Sequence, residues 1–201
     1  LALVLGSALL LPLGLQGVYP FLALSAPRPG GVLVIEGWVP DSVLEAGFAE
    51  FNRHHYDKVF ITGAPIERGG FLSIYGNQAD LCSATLLKLG MNSNVLQSVP
   101  TPVVSKDRTY ASAVALRQWW RAHGMAPTNV NLFSLGPHAR RSRLLFRRAL
   151  GKEVTVGVVA LSVGDYDARH WWRTSQGFRS VTDELIAYCY VRAMFWRFAR
   201  A

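Results

Sequence analysis

Val130-Asn-Leu-Phe-Ser-Leu135, then Gly136-Pro137, then His138-Ala-Arg-Arg141-Ser-Arg143, running into Leu144-Leu-Phe-Arg-Arg-Ala-Leu150-Gly151, is the stretch that decides the fold. The apolar run from Val130 to Leu135 reads as a short buried strand, and Gly136-Pro137 breaks it. His138 then opens a helix that carries Arg140, Arg141, Arg143, Arg147 and Arg148. A helix start presents backbone N–H groups without intrahelical partners and a partial positive charge. A His and three Arg around that first turn make it a candidate anion site.

The same strand–break–helix unit recurs on both sides. Gly31-Val-Leu-Val-Ile-Glu36 is a β-branched apolar run that exits through Gly37-Trp38-Val39-Pro40, with Asp41 placed to cap a helix over Ser42–His54. Lys58–Thr62 is a second strand leaving through Gly63-Ala64-Pro65, and residues 66–76 form a Gly-rich loop. Asn77–Leu89 is a helix closed by Gly90, and Asn94–Val99 is a weaker third strand. Asp107-Arg108-Thr109-Tyr110 opens a helix that runs to His123-Gly124, with Asp107 as its N-cap. Val154–Leu161 is a fifth strand, residues 162–177 a loop, and Val181–Phe198 a last, apolar and aromatic helix. Short apolar strands alternating with amphipathic helices predict an open, mostly parallel five-stranded Rossmann-like α/β sheet with helices on both faces. Ligands of such sheets bind at the carboxyl ends of the strands.

Composition sets the bounds. The chain has 201 residues and a net charge of +8, and its lysines are Lys58, Lys88, Lys106 and Lys152, so the basic excess is arginine. Those arginines are scattered over several elements without an aromatic-interleaved basic motif, which argues against nucleic acid and for an anionic small ligand or a membrane surface. Cys82 and Cys189 lack metal spacing and read as two buried free thiols, so no metal site is expected. Nucleophile elbow, P-loop and dinucleotide fingerprint are all missing, and the sequence leaves the cofactor open. Leu1–Leu24 holds no charged residue and reads as a single-pass membrane anchor, or alternatively as a signal peptide ending at Leu24-Ser-Ala26. Residues 25–31 form a Pro/Gly linker, and residues 32–201 form one α/β domain.

Over about residues 32–160 the chain resembles the YdcF/SanA/ElyC-like family of bacterial envelope proteins. Thr62-Gly63, Gln78-Ala79, Leu86-Leu-Lys-Leu-Gly90, Thr109, Ala113, His138 and Arg141-Ser142 carry the resemblance. Ala64-Pro65, Gln78, Arg108, Ala111 and Ser112 depart from it, as in a divergent subfamily with Glu-Gly-Trp, Asp-Arg-Thr-Tyr and His-Ala-Arg-Arg motifs. The resemblance implies a protein of the bacterial inner membrane with its domain outside the cytoplasm.

The motifs converge on one sheet edge and name the candidate site. Glu36, His138 and Asp107 are the acid/base candidates, Asp107 reading more simply as a helix cap. Gly37, Trp38, Thr62, Gly63, Arg108, Thr109, Arg141 and Arg143 are the ligand-binding candidates. Arg141 either grips a phosphate or pairs with Glu36. The expected function is binding or processing of an anionic, phosphorylated or lipid-linked, cell-wall metabolite. A phosphate- or pyrophosphate-directed hydrolase or transferase is the enzymatic form. A nucleotide-like ligand-binding module and an interaction protein of an envelope complex are the alternatives.

Overall fold

The structure is a computed structural model and describes residues 14–162 and 164–198. Helical residues 14–22 (α1) lead through a linker to β1 (Val32–Glu36), α2 (Asp41–Arg53), β2 (Lys58–Gly63), α3 (Gln78–Lys88) and β3 (Leu96–Pro100). Then come α4 (Arg108–Ala122), β4 (Asn129–Leu135), α5 (Ala139–Leu150), β5 (Thr155–Leu161) and α6 (Ser175–Phe198). The five strands pair in parallel in the order β3-β2-β1-β4-β5. Both outward runs start from β1 and β4, so the crevice beyond Glu36 and Leu135 is the topological switch point where such sheets hold ligands.

Apolar alternation builds a core on each face of the sheet. Leu33, Ile35, Val59 and Ile61 face α2 and α3, packing on Val43, Leu44, Ala79 and Leu86. Val34, Phe60, Leu132 and Val158 face α4 and α5, packing on Leu116, Trp120 and Phe146. Buried Asn131 in β4 ties the linker down. Its side-chain amide donates to the carbonyls of Arg28 at 2.8 Å and Gly30 at 3.3 Å, and its Oδ1 accepts from the Arg28 N–H at 2.7 Å.

Several boundaries differ from the sequence reading. Asp41 is the first helical residue of α2, not its cap; Pro40 holds that position and no side chain caps the helix. The stretch read as a loop over 162–177 contains a 3-10 segment, Ala168–Arg173, and α6 starts at Ser175 instead of Val181. Packing decides this: Trp171 is buried against Leu22 and Val181, and its Nε1–H donates to the Leu15 carbonyl at 2.9 Å. Cys82 is buried as expected, whereas Cys189 is exposed because it lies on the outer face of α6.

The second half of the expected membrane span is placed differently. Residues 1–13 lie outside the described residues. Residues 14–22 dock on the domain: Leu22 is fully buried, Phe21 packs edge-on against Tyr188, and Arg140 stacks on the Phe21 ring while donating to its carbonyl. A span running to Leu24 would move Leu22 from Trp171 into lipid. No helix among the described residues is long and apolar enough to cross a membrane.

Replacing Asn131 with alanine leaves the Arg28 and Gly30 backbone groups without their partner. We expect Asn131→Ala to lower unfolding free energy by roughly 2–3 kcal/mol, the scale of orphaned buried polar groups, with an unchanged denaturant slope in urea titration.

Candidate functional site

A cleft of about 730 Å³ opens at the carboxyl edge of the sheet. Its floor is made by the exits of β1, β2 and β4, and its wall by the start of α4 and the inner face of α6. Glu36, Trp38, Thr62 and Gly63 line it from the first two strand exits. Asp107, Arg108 and Thr109 line it from α4, and His138 and Arg141 from the start of α5.

Glu36 ends β1 and is only 2% exposed. Its Oε2 accepts from the hydroxyls of Ser134 at 2.9 Å and Ser142 at 3.0 Å, and its Oε1 lies 3.5 Å from His138 Nε2. Burial pushes this carboxyl up, but the His138 charge and the three hydrogen bonds together outweigh it and hold Glu36 below the usual carboxylate range.

His138 does not begin the α-helix. It ends a 3-10 turn, Gly136–His138, that turns the ring under the cleft before α5 starts at Ala139. Its Nδ1 lies 2.8 Å from Glu184 Oε1 on α6. A carboxylate at each ring nitrogen leaves no place for a lone pair, so the ring is an imidazolium that donates to Glu184. Burial pushes its pKa down, but the Glu36 charge and the bonds to Glu184 and Glu36 raise it to about 9. The Trp38 indole packs edge-on against it with ring centres 4.9 Å apart.

Arg141 makes a two-point fork to Glu184: Nε to Oε2 at 2.8 Å and Nη2 to Oε1 at 3.0 Å. Nη2 also stands 2.9 Å from His138 Nδ1, a contact of two donors that Glu184 Oε1 makes tolerable by accepting from both. Burial pushes the Glu184 carboxyl up, and its bonds from His138 and Arg141 overcome this and bring it down to about 2. Both readings of Arg141 are therefore corrected in their partner: its fork is taken by Glu184, not by Glu36 and not left open for an anion.

The other arginines of the α5 start are also spent on the protein. Arg140 holds the Phe21 carbonyl of α1. Arg143 is not at the cleft; one turn along α5 it donates to the Val156 carbonyl at 2.8 Å, toward the amino end of β5. Gly37 lies behind the cleft, not in it: its N–H donates to the Thr62 carbonyl at 2.6 Å, and a Cβ would sit 2.9 Å from that oxygen. Gly63 does line the cleft, but a Cβ there would run into the backbone N of Ala79, so this glycine lets β2 and α3 close up.

Asp107 holds the N-cap position of α4 yet makes no capping bond, because its backbone is left-handed at φ 56°. Its exposed side chain stands in the cleft near enough to Arg141 to help raise the guanidinium pKa. Arg108 sits at the mouth, 3.2 Å from Glu67 of the 66–76 loop, with both side chains largely exposed. Such a surface pair is worth at most about 1 kcal/mol and is readily exchanged for a ligand.

Glu184 is the residue that the sequence reading missed. The signal was available: Val181, Glu184, Tyr188 and Val191 fall on one face of α6, and Val181 and Val191 are buried. A glutamate on the buried stripe of an apolar helix needs a cationic partner. Nothing in the linear sequence names which arginine, 43 residues away, supplies it.

The ion cluster fixes a pH window. His138 is raised from 6.5 to about 9, so its contribution is complete below pH 6.5 and is lost as pH climbs through about 9. Glu184 is lowered from 4.5 to about 2, so its contribution is complete above pH 4.5 and is lost as pH falls toward about 2. Stability should therefore be flat between the two, and the alkaline limb, on the order of 3 kcal/mol, should shrink in Glu184→Gln. Urea unfolding at a series of pH values, with imidazole NMR of His138, measures both.

Compared with known proteins, the chain finds no match among family models, curated proteins or solved structures.

Proposed function

We propose that the cleft binds the phosphate of an anionic envelope metabolite at the start of α4, in a protein of the YdcF/SanA/ElyC-like kind held at the bacterial inner membrane with this domain outside the cytoplasm. The observation that carries the reading is the open, uncapped α4 start. Its first N–H groups have no side-chain cap, and Ser105, Lys106, Arg108 and Thr109 all face the cleft beside them. Backbone donors, two cations and two hydroxyls suit a phosphate. Across the floor, the Thr62 hydroxyl is a buried group without a hydrogen-bond partner among the described residues, a further donor next to the same space. The uncharged, apolar sequence of residues 1–13, ahead of the docked segment, supports the membrane part of the proposal.

Turnover would draw on His138, which holds a proton at neutral pH and can pass it from Nε2 to a leaving oxygen. Glu36 is a poor base, since Ser134, Ser142 and His138 already occupy its carboxylate. Asp107 is the cleft carboxylate with room to orient an attacking water. The commitment of Glu36 also favours a second reading, a phosphate-binding module without turnover.

Calorimetric titration with inorganic phosphate and pyrophosphate tests the site. Lys106→Ala with Arg108→Ala should weaken binding by roughly 10- to 100-fold, the scale of losing charged hydrogen bonds. Arg141→Lys should lower stability while leaving anion affinity nearly unchanged, because its fork serves Glu184. Unchanged affinity in the double variant would remove the α4 start from the site. Release of phosphate from pyrophosphate, lost in His138→Gln, separates the enzyme from the binding module.

A further inference from the structure

The rim of the cleft is unlike its floor. In the 66–76 loop Phe71, Leu72 and Ile74 are 109%, 93% and 90% exposed. Val103, in the loop before α4, is 82% exposed, and Trp38 and Tyr190 at the cleft wall are about half exposed. The loop leaves β2, Val103 follows β3 and Trp38 follows β1, so all of them lie on connections at the carboxyl edge of the sheet, where Ile66, Glu67 and Arg68 of the same loop line the cleft. Arg68, Lys106 and Arg108 stand among them. Packing explains none of these exposures: Phe71, Leu72 and Ile74 belong to none of the core clusters.

We infer that this rim seats on an anionic lipid surface, with Phe71, Leu72 and Ile74 inserted at the headgroup boundary and Arg68, Lys106 and Arg108 against lipid phosphates. Three bulky apolar side chains stand almost fully exposed within four residues of one Gly-flanked loop, beside the cations of the cleft mouth. They match the depth of an interfacial insertion, and the neighbouring cations supply the attraction to anionic lipid. An exposed apolar patch of this kind marks an interaction site. The seating turns the cleft mouth toward the bilayer, so the phosphate drawn into the cleft is carried by a lipid. That last step rests on the phosphate reading above; the seating itself does not.

The test uses the full chain on vesicles of phosphatidylcholine, with or without phosphatidylglycerol. A Cys189→Ser background carries an environment-sensitive dye at Leu72→Cys or, as control, at Lys152→Cys in the exposed turn at the opposite sheet edge. The dye at position 72 should be quenched several-fold more by nitroxide lipid than the dye at position 152, and more strongly with phosphatidylglycerol. Equal quenching at the two positions overturns the inference. So does a dye at position 72 shielded from water but not reached by lipid nitroxide, which is the outcome for a loop folded over the cleft or covered by protein. Phe71→Ser with Leu72→Ser and Ile74→Ser should keep wild-type affinity for inorganic phosphate. Equal quenching at the two positions beside intact phosphate binding by calorimetry is failure of the seating alone; lipid quenching at position 72 in a protein that binds no inorganic phosphate is failure of the phosphate site alone.

Discussion

One carboxylate, Glu184, holds the site together. It accepts from His138 and, through two bonds, from Arg141, two cations that stand 2.9 Å apart and would otherwise repel. With Glu36 on the other side of the ring, the cluster alternates in sign from β1 through α5 to α6. Burying four charges is costly unless each has a partner and its hydrogen bonds are filled. Here the two serines fill the remaining positions on Glu36. The same bonds place α6 across the cleft and set the protonation of His138, so wall and floor depend on one interaction.

That pairing changes what a basic helix start means. The α5 start carries the densest run of arginine in the chain, and each of its three arginines is used inside the protein. Arg140 fastens α1, Arg141 fastens α6, and Arg143 ties α5 to β5. Formal charge on a helix start is therefore not the same as charge available to a ligand. The α4 start has fewer cations, but its N–H groups are uncapped and its side chains face open space. The left-handed backbone of Asp107 turns a residue type that usually caps a helix away from doing so.

The floor and rim of the cleft obey opposite rules. Floor groups are buried and committed, which suits preorganisation. Rim groups are exposed, and the Arg108–Glu67 pair across the mouth is weak. The division allows chemistry to stay fixed while the entrance adapts to what it meets. Residues 14–22, read as part of an anchor, belong instead to the packing of α6 and of the 3-10 segment around Trp171.

The sequence by itself determined the α/β alternation, the five strands within a residue or two, and the edge at which the motifs meet. Those depend on local periodicity and on breakers such as Gly136-Pro137 and Gly63-Ala64-Pro65, which act within a few residues. Glu36, Thr62, Asp107 and His138 do line one cleft, because each follows a strand of a parallel sheet. Tertiary structure alone decided the partners. The Arg141–Glu184 fork spans 43 residues, the bond from Ser142 to Glu36 spans 106, and Arg143 finds a strand carbonyl instead of the cleft. A charge's partner depends on which faces of separate helices meet over the sheet, and no local pattern encodes that meeting. The docking of residues 14–22 follows the same logic: an apolar stretch reads alike whether lipid or a buried tryptophan covers it, and only the fold shows Leu22 against Trp171.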